Sequence, residues 1–415
     1  MSCWAGVVVA LTLGWGLWRT SARFFAPGEF LIAVPLWGMV GTLTWLTLLD
    51  LLGIPWSPGA LVLPAVAAAL ATLASPRPAC PVRPTPWALV AAGAAVAQAA
   101  LVATRPAFGW DFRYIWGLRG LVFTHAASHA SQWLAWLPNR WFHPDYPPAW
   151  PDLLAAGVTL GGTVERVAAS WSAVFVLALG AACWRLTAPT PPPVRALAVV
   201  AATWAPLLWS PLYSGYAEPL LAFLTAAALV SLPGAARGDR GEVVSLALAT
   251  AALALTKNEG IALAVGVSLA VAMRGNRRAA LTVGGAVCVV IAAWRAYLAV
   301  EAVPVEPREL APDIALRQLG ELLQWIIRAA PAIDIALLTV WLVVAALLLR
   351  ARAPALVALA FWGVAVAAAY LTTQQGIAWH LATSLDRVLI APLPAAIACT
   401  LGVTWSGDAR RGPDS

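Results

Sequence analysis

The chain has 415 residues, of which 61% are hydrophobic and 11% charged, with a mean hydropathy of +0.79. Soluble globular domains carry about a quarter of their residues as charges, so this composition excludes them and leaves an all-α polytopic integral membrane protein. The formal charge of +7 and pI near 9.6 do not signal nucleic acid, because the arginines collect in short loops between apolar runs and there report topology.

Crossing the hydrocarbon core takes about 20 helical residues. Apolar runs near that length fall at about 1–18, 30–49, 57–75, 86–103, 167–185, 194–210, 217–232, 243–256, 259–273, 280–298, 331–349, 354–371 and 388–405, which makes about thirteen spans. The first run has no basic leader region and no clear cleavage site, so it reads as a retained helix. The short pair around Lys257 reads as broken or re-entrant helices, which are tolerated where protein or a cavity covers the freed backbone groups. Tryptophans mark run ends (Trp18, Trp56, Trp87, Trp184, Trp209, Trp294), as interfacial anchors do. Cys3, Cys80, Cys183, Cys288 and Cys399 are scattered, without CxxC or Cys/His metal spacing, and read as packing residues.

Alternate short loops carry Arg19/Arg23, Arg77/Arg83, Arg185/Arg195, Arg237/Arg240, Arg274/Arg277/Arg278, Arg350/Arg352 and Arg410/Arg411, whereas the opposite short loops carry only Lys257 and Arg387. The positive-inside rule makes the first set cytoplasmic. The expected organisation is N-terminal helices and a cytoplasmic linker over 1–85, a transmembrane domain over 86–405, and a cytoplasmic tail over 406–415. Two polar stretches, 104–166 and 299–330, are expected on the periplasmic or exterior face of the cytoplasmic membrane. All four histidines, Asp111, Asp145, Glu218, Lys257, Glu259 and Asp386 then fall on that one face. No convincing internal repeat, the mark of many transporters, is present.

Four motifs lie along this face: GWDFRYIWGLRG followed by HPDYPPAWP, then YSGYAEPLL, TKNEG and HLATSLDRVL. Their order resembles bacterial polytopic glycosyltransferases of the GT-C superfamily, relatives of the dolichyl-phosphate-mannose-protein mannosyltransferases, over about residues 86 to 400. The resemblance implies an enzyme that takes a sugar from a polyprenyl-phosphate-linked donor and passes it to an acceptor that is a glycan, lipid or protein. It also implies that a carboxylate in a large outer loop is the catalytic base, a role that Asp111 matches. The chain departs from the family in two ways: three apolar runs precede the helix at 86–103, and Asp111 is followed by Phe112 rather than a second acid.

The residues give their own reasons. Glycosyl transfer to a hydroxyl needs a base at the acceptor and stabilisation of the leaving phosphate. Asp111, flanked by Trp110, Phe112 and Tyr114, can be partly desolvated, which strengthens a carboxylate as a base; the plainer alternative pairs it with Arg113 or Arg119. In His143-Pro144-Asp145-Tyr146-Pro147-Pro148 the prolines stiffen the loop. Asp145 there is a second catalytic candidate that orients the acceptor or helps hold a divalent metal ion, against a residue that only caps a turn. Tyr114, His143 and Tyr146 are candidate substrate contacts. Glu218, in the first turn of a helix, is a further candidate, against an acid placed for the helix dipole alone.

Lys257 is the only lysine of the chain and sits with Asn258 and Glu259 between two apolar runs, where a charge is costly and usually paired or functional. A Lys257–Glu259 contact is the plain reading, and a contact to carrier phosphate the functional one. His380, Ser384 and Arg387 share one helical face, and Arg387 suits phosphate, against pairing with Asp386 or headgroups. The stretch 309–328 has apolar residues at helical spacing and reads as an interfacial helix or a lid. The expectation is thus a GT-C-like membrane glycosyltransferase with Asp111 as base, a divalent metal ion left open as cofactor, a lipid-linked sugar donor as partner and no nucleic acid. The alternative is a transporter or flippase of lipid-linked envelope intermediates.

Overall fold

The computed structural model describes residues 4–21, 29–73, 85–204, 213–305, 312–328, 332–351, 353–372 and 377–410. Every regular element among them is a helix. In order these are α1 (Ala5–Ser21), α2 (Phe30–Leu51), α3 (Pro58–Leu73), α4 (Pro86–Thr104), a π turn (Phe112–Trp116) running into α5 (Gly117–Ala126), α6 (Ser131–Ala135), a 3-10 turn (Leu137–Phe142), α7 (Ala149–Thr159), α8 (Val164–Leu186) and α9 (Pro192–Trp204). The second half holds α10 (Glu218–Arg237), α11 (Arg240–Thr256), α12 (Asn258–Ala272), α13 (Arg277–Val300), α14 (Pro312–Arg328), α15 (Ala332–Arg350), α16 (Pro354–Leu371), α17 (Ile377–Ile390) and α18 (Leu393–Arg410).

Among the described residues, seven helical stretches are long and apolar enough to cross a membrane: Phe30–Leu51, Pro86–Thr104, Val164–Leu186, Glu218–Arg237, Arg277–Val300, Pro354–Leu371 and Leu381–Trp405. The chain is therefore a polytopic helical membrane protein. Pro58–Leu73 and Asn258–Ala272 are apolar but shorter. The ends are set by ordinary signals. Thr85 caps α4 by accepting from the Ala88 amide at 3.2 Å with Pro86 in the first turn, Asn276 caps α13 through the Ala279 amide at 3.1 Å, and Gly238, with φ +90, closes α10.

At the centre stand α8 and α10, each 83% buried along its apolar window, with α4, α9, α11 and α18 packed around one or both of them. By contrast α4, α13 and α16 turn Leu89, Val96, Leu281, Val289 and Val364 outward, the pattern of a lipid-facing shell. Small residues let the N-terminal helices approach closely: a Cβ at Gly14 of α1 would lie 2.1 Å from the Val34 carbonyl of α2. α1 and α2 also pack against α7 and α8, so the first helices join the same bundle as the central ones. Arg77 and Arg83 lie outside the described residues, as do Cys3, Cys80 and parts of the 299–330 stretch.

Candidate functional site

Helix ends bring the polar motifs together. Asp111 stands just before the π turn, Glu218 opens α10, Lys257 is the extended break between α11 and α12 (φ −163, ψ 161), and Arg387 lies on α17. The break at Lys257 leaves its carbonyl to accept from Gly260 at 2.9 Å, and a Cβ at Gly260 would lie 2.1 Å from the Leu253 carbonyl, so the chain turns here without room for a larger residue.

The Lys257 ammonium is held by two carboxylates, Glu218 at 3.1 Å and Glu259 at 3.2 Å. Both the Glu259 contact read from the sequence and a second acid from a distant helix are thus present. Glu218 is 2% exposed, and its second carboxylate oxygen has no hydrogen-bond partner among the described residues. Asp111 pairs with neither Arg113 nor Arg119 but with Arg387, whose Nη1 donates at 2.5 Å. The other terminal nitrogen of Arg387 donates to the Thr383 carbonyl at 2.9 Å, and its guanidinium lies 4.7 Å over the Tyr216 ring. Arg387 and Glu218 also interact electrostatically, which joins the two sets into one cluster of three acids and two bases. Asp386 turns back to the Arg387 amide at 2.7 Å.

Two glycines make the cluster close. Gly109 donates to the Ser214 carbonyl at 3.0 Å, and a Cβ on Gly109 would meet the Tyr216 ring at 2.5 Å. Gly215 has φ +78, a Cβ there would lie 2.6 Å from Ala107 and from Phe112, and its carbonyl accepts from the Trp150 indole at 2.9 Å. Together they press the 213–217 loop onto the residues before the π turn, which sets Tyr216 beside Asp111 and Arg387. Burial, then Asp111, push the Tyr216 phenol up from its ordinary pKa, against the pull of Arg387.

Around this centre the aromatic candidates form an edge. Tyr114 and Trp110 lie tilted against each other at 4.9 Å between centroids and are both exposed. Tyr146 stacks on His143 at 4.5 Å between centroids and lies tilted against Trp116 at 5.5 Å, and it is among the electrostatic neighbours of Lys257. Asp145 meets the bundle through its backbone, whose carbonyl accepts from the Trp294 indole at 3.1 Å. Among the described residues no three His, Cys, Asp or Glu side chains are grouped to hold a metal ion. The side chain of His380 lies outside what the structure describes.

A second buried polar cluster escaped the sequence reading. His129 donates from Nδ1 to Asp50 of α2 at 2.7 Å, and its Nε2 lies 3.3 Å from the Asp152 carboxylate of α7. Trp56 and Phe123 pack edge-on against the ring at 5.1 and 5.5 Å, and Tyr297 also lies against it. Burial opposes the imidazolium, but Asp152 and Asp50 outweigh it and hold the His129 pKa up at about 9. Arg119 is fully buried nearby and donates to the Tyr146 carbonyl at 2.9 Å. Burial pushes its pKa down to about 10, with Asp152 and Asp145 opposing. The signal in the sequence was slight: Asp50 directly follows an apolar run, and Asp152 stands among apolar neighbours inside the otherwise polar 104–166 stretch. The chain matches no family model, no curated protein and no solved structure.

Proposed function

We propose that this protein is a GT-C-type glycosyltransferase of about thirteen spans in the cytoplasmic membrane, working on its periplasmic or exterior face. It takes a sugar from a polyprenyl-phosphate-linked donor and passes it to an acceptor hydroxyl. The observation that supports this most is the Asp111–Arg387 pair at the rim of a charged cluster inside an otherwise apolar bundle. An acid able to take a proton stands next to a guanidinium able to hold a phosphate.

In this reading the acceptor oxygen attacks the anomeric carbon while Asp111 takes its proton, the bond from that carbon to the phosphate oxygen breaks, and Arg387 neutralises the departing phosphate. Asp111, about one quarter exposed, is reachable by an acceptor, whereas Glu218 lies at the floor and serves to fix Lys257. The test is turnover of a radiolabelled polyprenyl-phosphate sugar by purified protein. Asp111→Asn keeps the shape but cannot take a proton, so turnover should fall by about a hundredfold or more. Near-normal transfer by a folded Asn variant sinks the proposal, and a flippase would tolerate the change.

A further inference from the structure

A cavity of about 750 Å³ lies apart from the charged cluster, between α5, the 127–130 loop and the start of α6. That volume is within the range of small-molecule sites, about 300–1,000 Å³. None of the residues lining it is Asp, Glu, Lys or Arg. One wall is apolar, from Leu121 and its neighbours at helical spacing on α5; the other offers hydrogen-bonding groups from His125, Ser128, Ser131 and Gln132. Trp133, half-buried and stacked on Phe142 at 6.4 Å, completes it.

The hydrogen-bonding roles are defined. His125 Nδ1 lies 2.8 Å from the Leu121 carbonyl, which can only accept, so Nδ1 carries a proton and Nε2 is left facing the cavity's hydrogen-bonding edge. The Ser128 hydroxyl accepts from the Ala130 amide at 3.2 Å and keeps its own proton to donate. The loop between them is held in a conformation that residues with a Cβ rarely adopt, with Ala127 at φ 54 and Ala130 at φ 51. What holds it is His129, bonded on both sides to Asp50 and Asp152. The clasp thus fixes the rim that carries Ser128 and Ser131.

We propose that this cavity is a binding subsite for an uncharged, hydroxyl-rich chain. Hydrogen-bonding groups facing an aliphatic wall and an indole match a ligand with a hydroxyl edge and a C–H face, as a sugar ring has, and the lack of a lining Lys or Arg disfavours acidic glycans and phosphates. On the glycosyl-transfer reading, on which this assignment rests, the ligand is the acceptor. Asp111 precedes the π turn and His125 lies in the last turn of α5, so the two lie roughly 20 Å apart along the helical rise. An acceptor engaging both is an oligosaccharide several units long, not a single sugar.

The full-length protein is prepared in an amphipol free of sugar headgroups, since alkyl glycosides would compete. Saturation-transfer NMR and calorimetry then measure binding of uncharged α-glucan, β-glucan, mannan and galactan hexasaccharides, a matched oligouronate, and lauric acid. At least one uncharged oligosaccharide should bind saturably at about 1 mM or tighter. Gln132→Ala, a change at an exposed side chain, and Trp133→Ala should weaken it about tenfold or more. No saturable binding of any uncharged oligosaccharide, binding untouched by both cavity variants, or a site that takes only lauric acid overturns the assignment. Glycan binding that persists in a protein whose Asp111→Asn variant still transfers sugar sinks the glycosyl-transfer reading and leaves the cavity standing.

Discussion

Asp111 and Arg387 are 276 positions apart in the chain, yet their side chains meet at 2.5 Å. Each neutralises the other, so a phosphate that approaches the Nη1 of Arg387 competes with Asp111 for it. On the proposed glycosyl transfer, donor arrival and release of the base would then be linked, the acid being freed when the donor phosphate takes its place.

This competition predicts opposite effects on donor binding. Arg387→Ala removes a charge-assisted contact worth about 1.5–3 kcal/mol and should weaken binding of a polyprenyl phosphate by about 10- to 100-fold. Asp111→Asn removes the competitor and should bind the same ligand as well as wild type or more tightly. Equilibrium binding in mixed micelles decides it, and weaker binding by the Asn variant refutes the competition.

Lys257 holds two acids in a buried setting, so removing it alone should be severe. Lys257→Met leaves Glu218 charged and unpaired, a loss on the order of 3–5 kcal/mol. The double variant Lys257→Met/Glu218→Gln should regain most of that. Thermal unfolding of the four proteins in one detergent gives the coupling, and strictly additive losses mean that the pair is not coupled.

The His129 clasp has a pH signature. Its pKa stands at about 9 in the folded protein against an ordinary 6.5. The folded state therefore gains stability from the imidazolium, in full below about pH 6.5, declining above it and lost as pH rises through about 9. Wild type should lose unfolding temperature between pH 7 and 10 more steeply than Asp50→Asn, which lacks one of the two acids that hold the charge. Parallel curves for the two proteins count against the clasp.

Topology is tested separately. Periplasmic reporter fusions at Ala126 and Glu306 should both be active, because the short loops of the opposite parity carry nearly all the short-loop arginines. A cytoplasmic reading at either position breaks the single-face arrangement.

Much of the bundle was readable because an apolar chain shows its helices directly. All the runs up to 354–371 meet a helix among the described residues, and the last, 388–405, takes in the end of α17 and most of α18. Several, such as Pro192–Trp204, are too short there to count as spans by length. The charged motifs were readable for the same reason, since each charge stands out against alanine and leucine. The Lys257–Glu259 contact was readable too, but the partners from distant helices were not. Asp111 had Arg113 and Arg119 close by in sequence, but Arg119 falls on the stripe of Phe112, Ile115, Trp116 and Phe123 that α5 and its π turn bury, so its guanidinium points inward. Tyr216 was within a quoted motif yet unmarked, because its place over Arg387 depends on the close approach of Gly109 and Gly215.

The bond from Asp50 to His129 also bears on how the protein is put together. Asp50 ends a helix made early, and its partner lies 79 positions later, beyond two further apolar helices. During synthesis α2 enters the bilayer with an acid at its end and no base to meet it until the long polar segment has emerged and folded back. That segment therefore completes its fold on a post raised beforehand. Expressing residues 86–415 alone should leave His129 and Asp152 without that post, and supplying residues 1–85 as a separate polypeptide should restore it.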